Sequence, residues 1–277
     1  MKIDIAIIGG SGLYKLDGMT DIKEISVSTP FGKPSDKIIT GVISGVRVGF
    51  LARHNRNHIY TPTEVPYRAN IYALKKLGAK VILAFSAVGS LREEMPPKSF
   101  VFPDQIIDKT TLRQNTFFGN GLVGHAAFAN PFCGCLQKAL FETAKKLKIK
   151  CKNRGTLIAM EGPVFSTRAE SEFHRKMGFD LIGMTACPET KLAREAGIAF
   201  GQVSMVTDFD AWKTGEEVTV EIVNETMKHN EIAAKKLILA AVPVVAKLKR
   251  CHACNHPTRP FVSVNKKWLA KIKLGFE

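Results

Sequence analysis

Short apolar runs alternate with stretches of helical periodicity along most of this chain. Residues 3–8 form a mainly apolar run that stops at Gly9-Gly10-Ser11-Gly12, which reads as a first buried strand entering a glycine-rich turn. Further strands are predicted at 22–27, 37–43, 46–51, 81–85, 156–160, 181–183 and 199–206. A helix is predicted over 67–77, closed by Gly78. Another spans 131–147, with Leu136, Leu140, Ala144 and Leu147 on one face. A long closing helix covers 220–245, with Pro243 in its last turns. Strand–helix alternation predicts an α/β fold: a single domain whose central sheet, mostly parallel or mixed, is flanked by helices. No internal repeat or low-complexity linker divides the chain. The domain is placed at residues 1–250, with a basic C-terminal tail over 251–277.

Composition narrows the picture. A length of 277 residues accommodates one α/β domain with a full core. Hydrophobic content of 45% is ordinary for a globular protein, and no apolar run approaches the roughly 20 residues that span a bilayer. The opening MKIDIAIIGG runs straight into the first strand, so no signal segment and a cytosolic setting are expected. The net charge is +15, and from Glu231 onward ten Lys or Arg face two Glu. Such an excess attracts nucleic acid or an anionic small substrate. The tail shows no nucleic-acid module and no interleaved aromatics except Trp268, so a solvated basic face is preferred and no nucleic acid is expected as partner. Among six cysteines, Cys251 and Cys254 have the spacing of half a zinc site or a redox pair. A matching second pair is lacking, because Cys133 and Cys135 are separated by one residue only; a disulfide or idle thiols are preferred over metal.

Candidate chemistry gathers at the ends of the apolar runs, where α/β sheets open their ligand crevices. Ser11 and its glycines can bring backbone N–H groups close to an anion, although neither a dinucleotide fingerprint nor a P-loop lysine is present. Arg53 and His54 end the run at 46–51, and an arginine fork suits a phosphate. Ser86 and Ala87 follow the run at 81–85, and Thr185 follows Gly183-Met184. Phe165 can stack on a flat base, Ser166 or Thr167 can cap the next helix, and Met184 offers a soft apolar wall. The pair Asp208 and Asp210 leaves the run at 199–206, and strand alternation would point both to the same side. Two acids close together in an apolar setting repel, so that one keeps a proton to donate. Capping a helix or binding a surface cation is the plainer reading of that pair. Together these strand ends describe a pocket for phosphate, a polyol and a planar base.

The motifs IIGGSGLY, TPFGKPSD, LARHNRNH, FSAVGSLREE, PDQIIDKTT, EGPVFSTRAES, GMTACPE and TDFDAW run in this order along most of the chain. In them the sequence resembles the 5'-methylthioadenosine phosphorylases, within the trimeric purine nucleoside phosphorylase superfamily. The resemblance implies a phosphorylase/hydrolase-like fold and attack of phosphate on the nucleoside's anomeric carbon, with inorganic phosphate as co-substrate and neither cofactor nor metal. It implies that Ser11, Arg53, His54, Ser86, Ala87 and Thr185 bind phosphate, and that Phe165, Ser166, Asp208 and Asp210 hold the base. Met184 would lie against the ribose. His125 matches a histidine that reaches a neighbouring subunit's methylthio pocket, which Val220 and Val223 would also line. A homotrimer or a hexamer of paired trimers follows from that role. Gly183 stands where animal members carry an asparagine, which widens the expected substrate range toward adenosine and other purine nucleosides.

Physical reasoning fits the same scheme. Breaking a glycosidic bond builds positive charge on the sugar and negative charge on the purine; a bound anion answers the first and a proton donor the second. Asp208 is the preferred acid, and an acidic partner that accepts from an exocyclic amine favours adenine over a 6-oxo purine.

Overall fold

The computed structural model describes residues 2–14, 16–215, 218–249, 258 and 262–272. Cys251 and Cys254 lie outside them. At the centre, β1 (Ile5–Gly9) runs parallel to both β4 (Val46–Ala52) and β5 (Val81–Ser90). Ile5 and Ile7 pack into one apolar core while Ala6 and Ile8 pack into another on the opposite face. A strand covered on both faces needs apolar residues at every position, which is why this segment shows no alternation in sequence. One face is closed by α2 (Gly134–Lys146) and α5 (Val220–Ala246), the other by α1 (Tyr67–Lys76) and α4 (Ala186–Glu195).

The chain forms a single α/β domain around a mixed sheet that has eleven strands among the described residues. Beyond β4, the strands β3 (Ile38–Ile43) and β2 (Thr20–Ile25) continue it antiparallel. On the other side β12 (Ala199–Asp208) lies parallel along nearly all of β5. β12 then pairs with β6 (Phe100–Phe102), which carries β9 (Cys151–Asn153). A second branch begins where Gly89 and Ser90 of β5 meet β11 (Leu181–Gly183) antiparallel, followed by β10 (Thr156–Ala159) and β7 (Gln105–Asp108). β1 pairs with β5 only as far as Ala84, and β11 takes over at Gly89. Among the described residues, β5 therefore has no strand partner on that edge from Phe85 to Val88. A crevice opens where the sheet changes partner.

Several boundaries differ from expectation. β5 continues five residues past Phe85, because β12 keeps pairing with it through Ser86, Ala87 and Val88 despite the small and polar side chains. α2 starts at Gly134 rather than at 131, since Cys133 still has extended backbone. The strands β6, β7 and β9 have three or four residues each and are too short for any periodicity to register. Past residue 250, β13 (Val262–Ser263) pairs with β8 (Leu122–Val123), and α6 (Lys266–Ile272) buries Ile272 in the core beside α1 and α4. Trp268 of α6 meets the ring of Phe31 edge-on.

Leu83 is fully buried in the core beneath α2 and α5. Leu83→Ala should lower the free energy of unfolding by about 2–5 kcal/mol, read as a lower urea midpoint at unchanged slope.

Candidate active site

The crevice at β5 has an anion-binding character at one end. Arg53 follows β4, and its amide donates to the Gly9 carbonyl at 3.0 Å, which ties it to the glycine turn. Its guanidinium is buried, and Nε and Nη2 donate to Oε1 and Oε2 of Glu189 at 2.6 and 3.0 Å. Nη1 donates to the Phe85 carbonyl at 2.9 Å. A guanidinium has five N–H donors, so one remains on each terminal nitrogen. Burial would lower the Arg53 pKa, but Glu189 reverses that and holds it above its ordinary value. Beside this pair, the Ser86 and Thr185 hydroxyls lie 3.2 Å apart. Thr185 is the residue before α4, whose first turn also carries Glu189. Ala87 is exposed in the middle of an otherwise buried stretch of β5, as a strand facing a cleft requires. Ser11 opens the 3-10 turn Ser11–Tyr14 directly after β1.

His54 is neutral here. Burial, with Arg53 adding to it, lowers its pKa to about 4. Nδ1 lies 2.9 Å from the Tyr60 carbonyl, which can only accept, so Nδ1 carries the proton and Nε2 is left as an acceptor.

The two acids come together at the other end, though not by strand alternation. β12 stops at Asp208, and Asp210 begins the 3-10 turn Asp210–Trp212 with φ at +52°. Aspartate is among the few residues that accept this left-handed conformation readily. The turn folds back so that the Asp210 amide donates to Asp208 Oδ1 at 2.8 Å. Trp212 anchors it through Nε1 to the Ser90 carbonyl at 2.8 Å, and Arg175 of α3 (Arg168–Lys176) stacks on the Trp212 ring. Gly89 is required at this point: a Cβ there would stand 2.9 Å from Asp208 Oδ1 and 3.3 Å from the Asp210 Cβ. Burial raises the pKa of both carboxyls; Thr207 and the Asp210 amide oppose it at Asp208, while Ser171 and Ser166 oppose it at Asp210. Among the described residues, Oδ2 of Asp210 is buried without a hydrogen-bond partner, as are both ring nitrogens of His174 on α3.

Between the ends stand the walls. Met184 packs so tightly on Gly162, at φ +68°, that a Cβ there would overlap its sulfur. Thr167 caps α3 through a capping box with Glu170, which leaves the preceding Ser166 with its hydroxyl 3.8 Å from the Met160 sulfur. Phe165 beside it is 38% exposed. Arg113 holds these walls in register. Its buried side chain donates to the carbonyls of Met184, Cys187 and Glu161 and to the Glu161 carboxylate at 2.9 Å. Burial would raise the Glu161 pKa, but Thr63, the Thr111 and Leu112 amides and Arg113 pull it down to about 2.

The structure thus brings Arg53, His54, Ser86 and Thr185 to one end of the crevice and Asp208, Asp210 and Ser166 to the other. Val220 and Val223 fall in the first turn of α5, Val220 exposed, and His125 is exposed in the segment after β8. The charge of Arg53 is balanced by the Glu189 carboxylate. Sequence reasoning missed Glu189 and Arg113 as organisers. Glu189 lay within a quoted motif without a role; Arg113 follows the polar stretch KTT and reads as a solvated residue until the fold places it against Met184, 71 positions away.

The chain is similar to known proteins over most of its length. A model of the phosphorylase superfamily matches residues 4–243. The chain is 49% identical to the S-methyl-5'-thioadenosine phosphorylase of Geobacter sulfurreducens, over 91% of this chain and 88% of that one. It is 47% identical to the enzyme of the same name from Hyperthermus butylicus, over 92% and 94%. A crystal structure of a methylthioadenosine phosphorylase from an Antarctic soil metagenomic library superposes with a TM-score of 0.92 at 42% identity, covering 98% of this chain and 99% of that one. The methylthioadenosine phosphorylase of Schistosoma mansoni in complex with adenine gives 0.85 at 37%, covering 89% and 93%.

Glu161 titrates near 2 in the fold against an ordinary value of 4.5. A carboxyl depressed in this way supports the fold above the unfolded value and loses that support as pH falls toward the folded one. Glu161→Gln should therefore be less stable than the wild type at neutral pH and show a shallower loss of stability below pH 4.5, followed by circular dichroism during acid titration.

Proposed function

The chain belongs to the phosphorylase superfamily, and from that premise we propose that it cleaves 5'-methylthioadenosine with inorganic phosphate, releasing adenine and 5-methylthioribose 1-phosphate. One observation carries this reading: the two ends of the site share a single stretch of β5. Arg53 bonds the carbonyl of Phe85, and the Asp208 carboxyl and the Asp210 Cβ lie against Gly89. Four residues of strand span roughly 13 Å, room for a ribose between a phosphate and a base.

Ser11, Arg53, His54, Ser86, Ala87 and Thr185 hold the phosphate. The two spare N–H groups of Arg53 and the Ser86 and Thr185 hydroxyls donate to its oxygens. His54, neutral and with Nε2 as acceptor, receives the hydrogen of a phosphate O–H. Met184 lies against the ribose, and Phe165 and Ser166 flank the purine. A phosphate oxygen attacks the anomeric carbon as the glycosidic bond breaks; the bonding pair moves into the purine, which takes a proton from Asp208 at its seventh-position nitrogen. Asp210 accepts from the exocyclic amine through Oδ2, its unpartnered oxygen. A carboxylate placed there favours adenine and disfavours the 6-oxo purines. Phosphate is the co-substrate, and the scheme uses no cofactor or metal. His125 serves the methylthio pocket of a neighbouring subunit, lined by Val220 and Val223, so the enzyme works as a trimer or a pair of trimers. Both substrates are small and water-soluble, which supports a cytosolic setting.

Adenine release from methylthioadenosine, measured with and without phosphate, tests the reaction. Release is expected only with phosphate; release in water alone would make the protein a hydrolase. Asp208→Asn should lower kcat by about 10²–10⁴-fold, with thermal melting showing the fold retained.

A further inference from the structure

Thr207 lies between the sheet and the acid, and the described contacts give its hydroxyl two places to go. Oγ1 is 2.6 Å from Asp208 Oδ2 and 3.2 Å from the Val88 carbonyl. A carbonyl can only accept, and a hydroxyl has one hydrogen to give, so the two bonds cannot be donated together. Neighbouring residues of a regular strand point to opposite faces, and a threonine could not then reach the carboxyl of the next residue. Here the register of β12 against β5 shifts: Val206 pairs with Val88 and Asp208 pairs with Gly89, leaving Thr207 as an extra residue. That bulge breaks the alternation, and the Thr207 hydroxyl reaches the carboxyl of the next residue. Nothing about packing demands a hydroxyl at this position, which is 1% exposed and would accept valine by shape.

We propose that Thr207 is a positioning residue whose hydroxyl turns from the Val88 carbonyl to the Asp208 carboxylate as Asp208 gives its proton to the purine. This rests on the assignment of Asp208 as the acid. While the carboxyl is protonated and its hydrogen is directed at the base, the hydroxyl donates to Val88. The glycosidic electron pair passes into the purine and the carboxyl proton follows it; Thr207 keeps its own hydrogen and changes only its acceptor. The short bond to Oδ2 then exists fully only once charge has developed there, so it favours the transition state over the ground state. Thr207 also opposes the burial that raises the Asp208 pKa. The titratable groups around Asp208 are few. Asp210 follows on the turn and raises it; His174 of α3, itself influenced by Lys109 and Glu170, acts on Asp210. β5 and β11 contribute Val88, Gly89 and Ile182, and α5 contributes the uncharged Asn230, which donates to the Val206 carbonyl.

Steady-state phosphorolysis of methylthioadenosine by Thr207→Val, Thr207→Ala, Thr207→Ser and Asp208→Asn, across a pH series, tests this. Loss of one hydrogen bond to a charged group predicts kcat about 10–100-fold lower in the valine and alanine variants, with KM little changed. The alkaline limb of their pH profiles should move to higher pH, because Asp208 becomes a weaker acid. Thr207→Ser, which keeps the hydroxyl, should recover most of the rate and the original limb. The proposal is overturned by a valine or alanine variant with wild-type kcat or an unmoved limb, or by a serine variant as slow as they are. If Asp208→Asn alone is slow, only the role of Thr207 falls; if Asp208→Asn keeps the wild-type rate, the assignment of the acid falls with it.

Discussion

The buried pair of Arg53 and Glu189 joins three parts of the chain that are remote in sequence. It holds the end of β4 to the first turn of α4, and through the Phe85 carbonyl it holds both to β5. Removing two charges from water is costly, and the cost is offset only when geometry is good and the remaining donors find acceptors. The first condition is met, since two parallel bonds reach the carboxylate and a third reaches a main-chain oxygen; the two N–H groups left over are the ones the proposed phosphate would take. The residue before α4, Thr185, is thereby set beside Ser86, and the crevice acquires a fixed end. The pair is neutral as a whole. Whatever anion enters meets directed N–H and O–H groups rather than a loose positive charge, which favours shape and proton state over mere charge. The chain's excess of +15 resides elsewhere and acts at longer range.

Much of this frame was legible in sequence because its strands are covered on both faces. The continuous apolar runs at β1, β4, β5 and β12 leave little doubt about strand type, and the glycines and hydroxyls that end them mark the crevice. Contacts that depend on tertiary position were not legible. Arg113 is the plainest case: no spacing rule connects it to the carbonyls of Met184 or Cys187, and only the folded chain shows a buried guanidinium with every direction taken. The same holds for β6 and β9, whose few residues carry no period and become strands by pairing with β12 and with each other. The packing of α6 under α1 and α4 was masked by the lysines that make the region look like a solvated tail.

The acids show a more instructive mismatch. Alternation would have brought Asp208 and Asp210 to one side of a continuing strand, yet the strand stops and a left-handed turn does the work. Both routes bring the side chains together, but only the turn places the Asp210 amide on the Asp208 carboxyl and keeps Oδ2 of Asp210 clear. The bulge at Thr207 has the same character. It interrupts a regular ladder at the point where the Thr207 hydroxyl meets the Asp208 carboxyl. Gly89 is the matching concession on β5, since a Cβ there would crowd the Asp208 carboxyl and the Asp210 Cβ.

Taken together, these features limit the uncompensated charge in the site before the reaction. Arg53 is balanced by Glu189, His54 is neutral, and burial raises the pKa of both aspartic acids. In the proposed phosphorolysis, charge separates only as the glycosidic bond breaks, positive on the sugar and negative on the purine. Donors and acceptors already fixed by β5, the turn and the bulge then respond without having to reorganise. Further uncompensated charge would bind phosphate and nucleoside more strongly at rest, but it would stabilise the ground state along with the transition state and gain little in rate. The fork of the sheet at β5 makes this arrangement possible, because one strand makes contacts to both ends and fixes their separation.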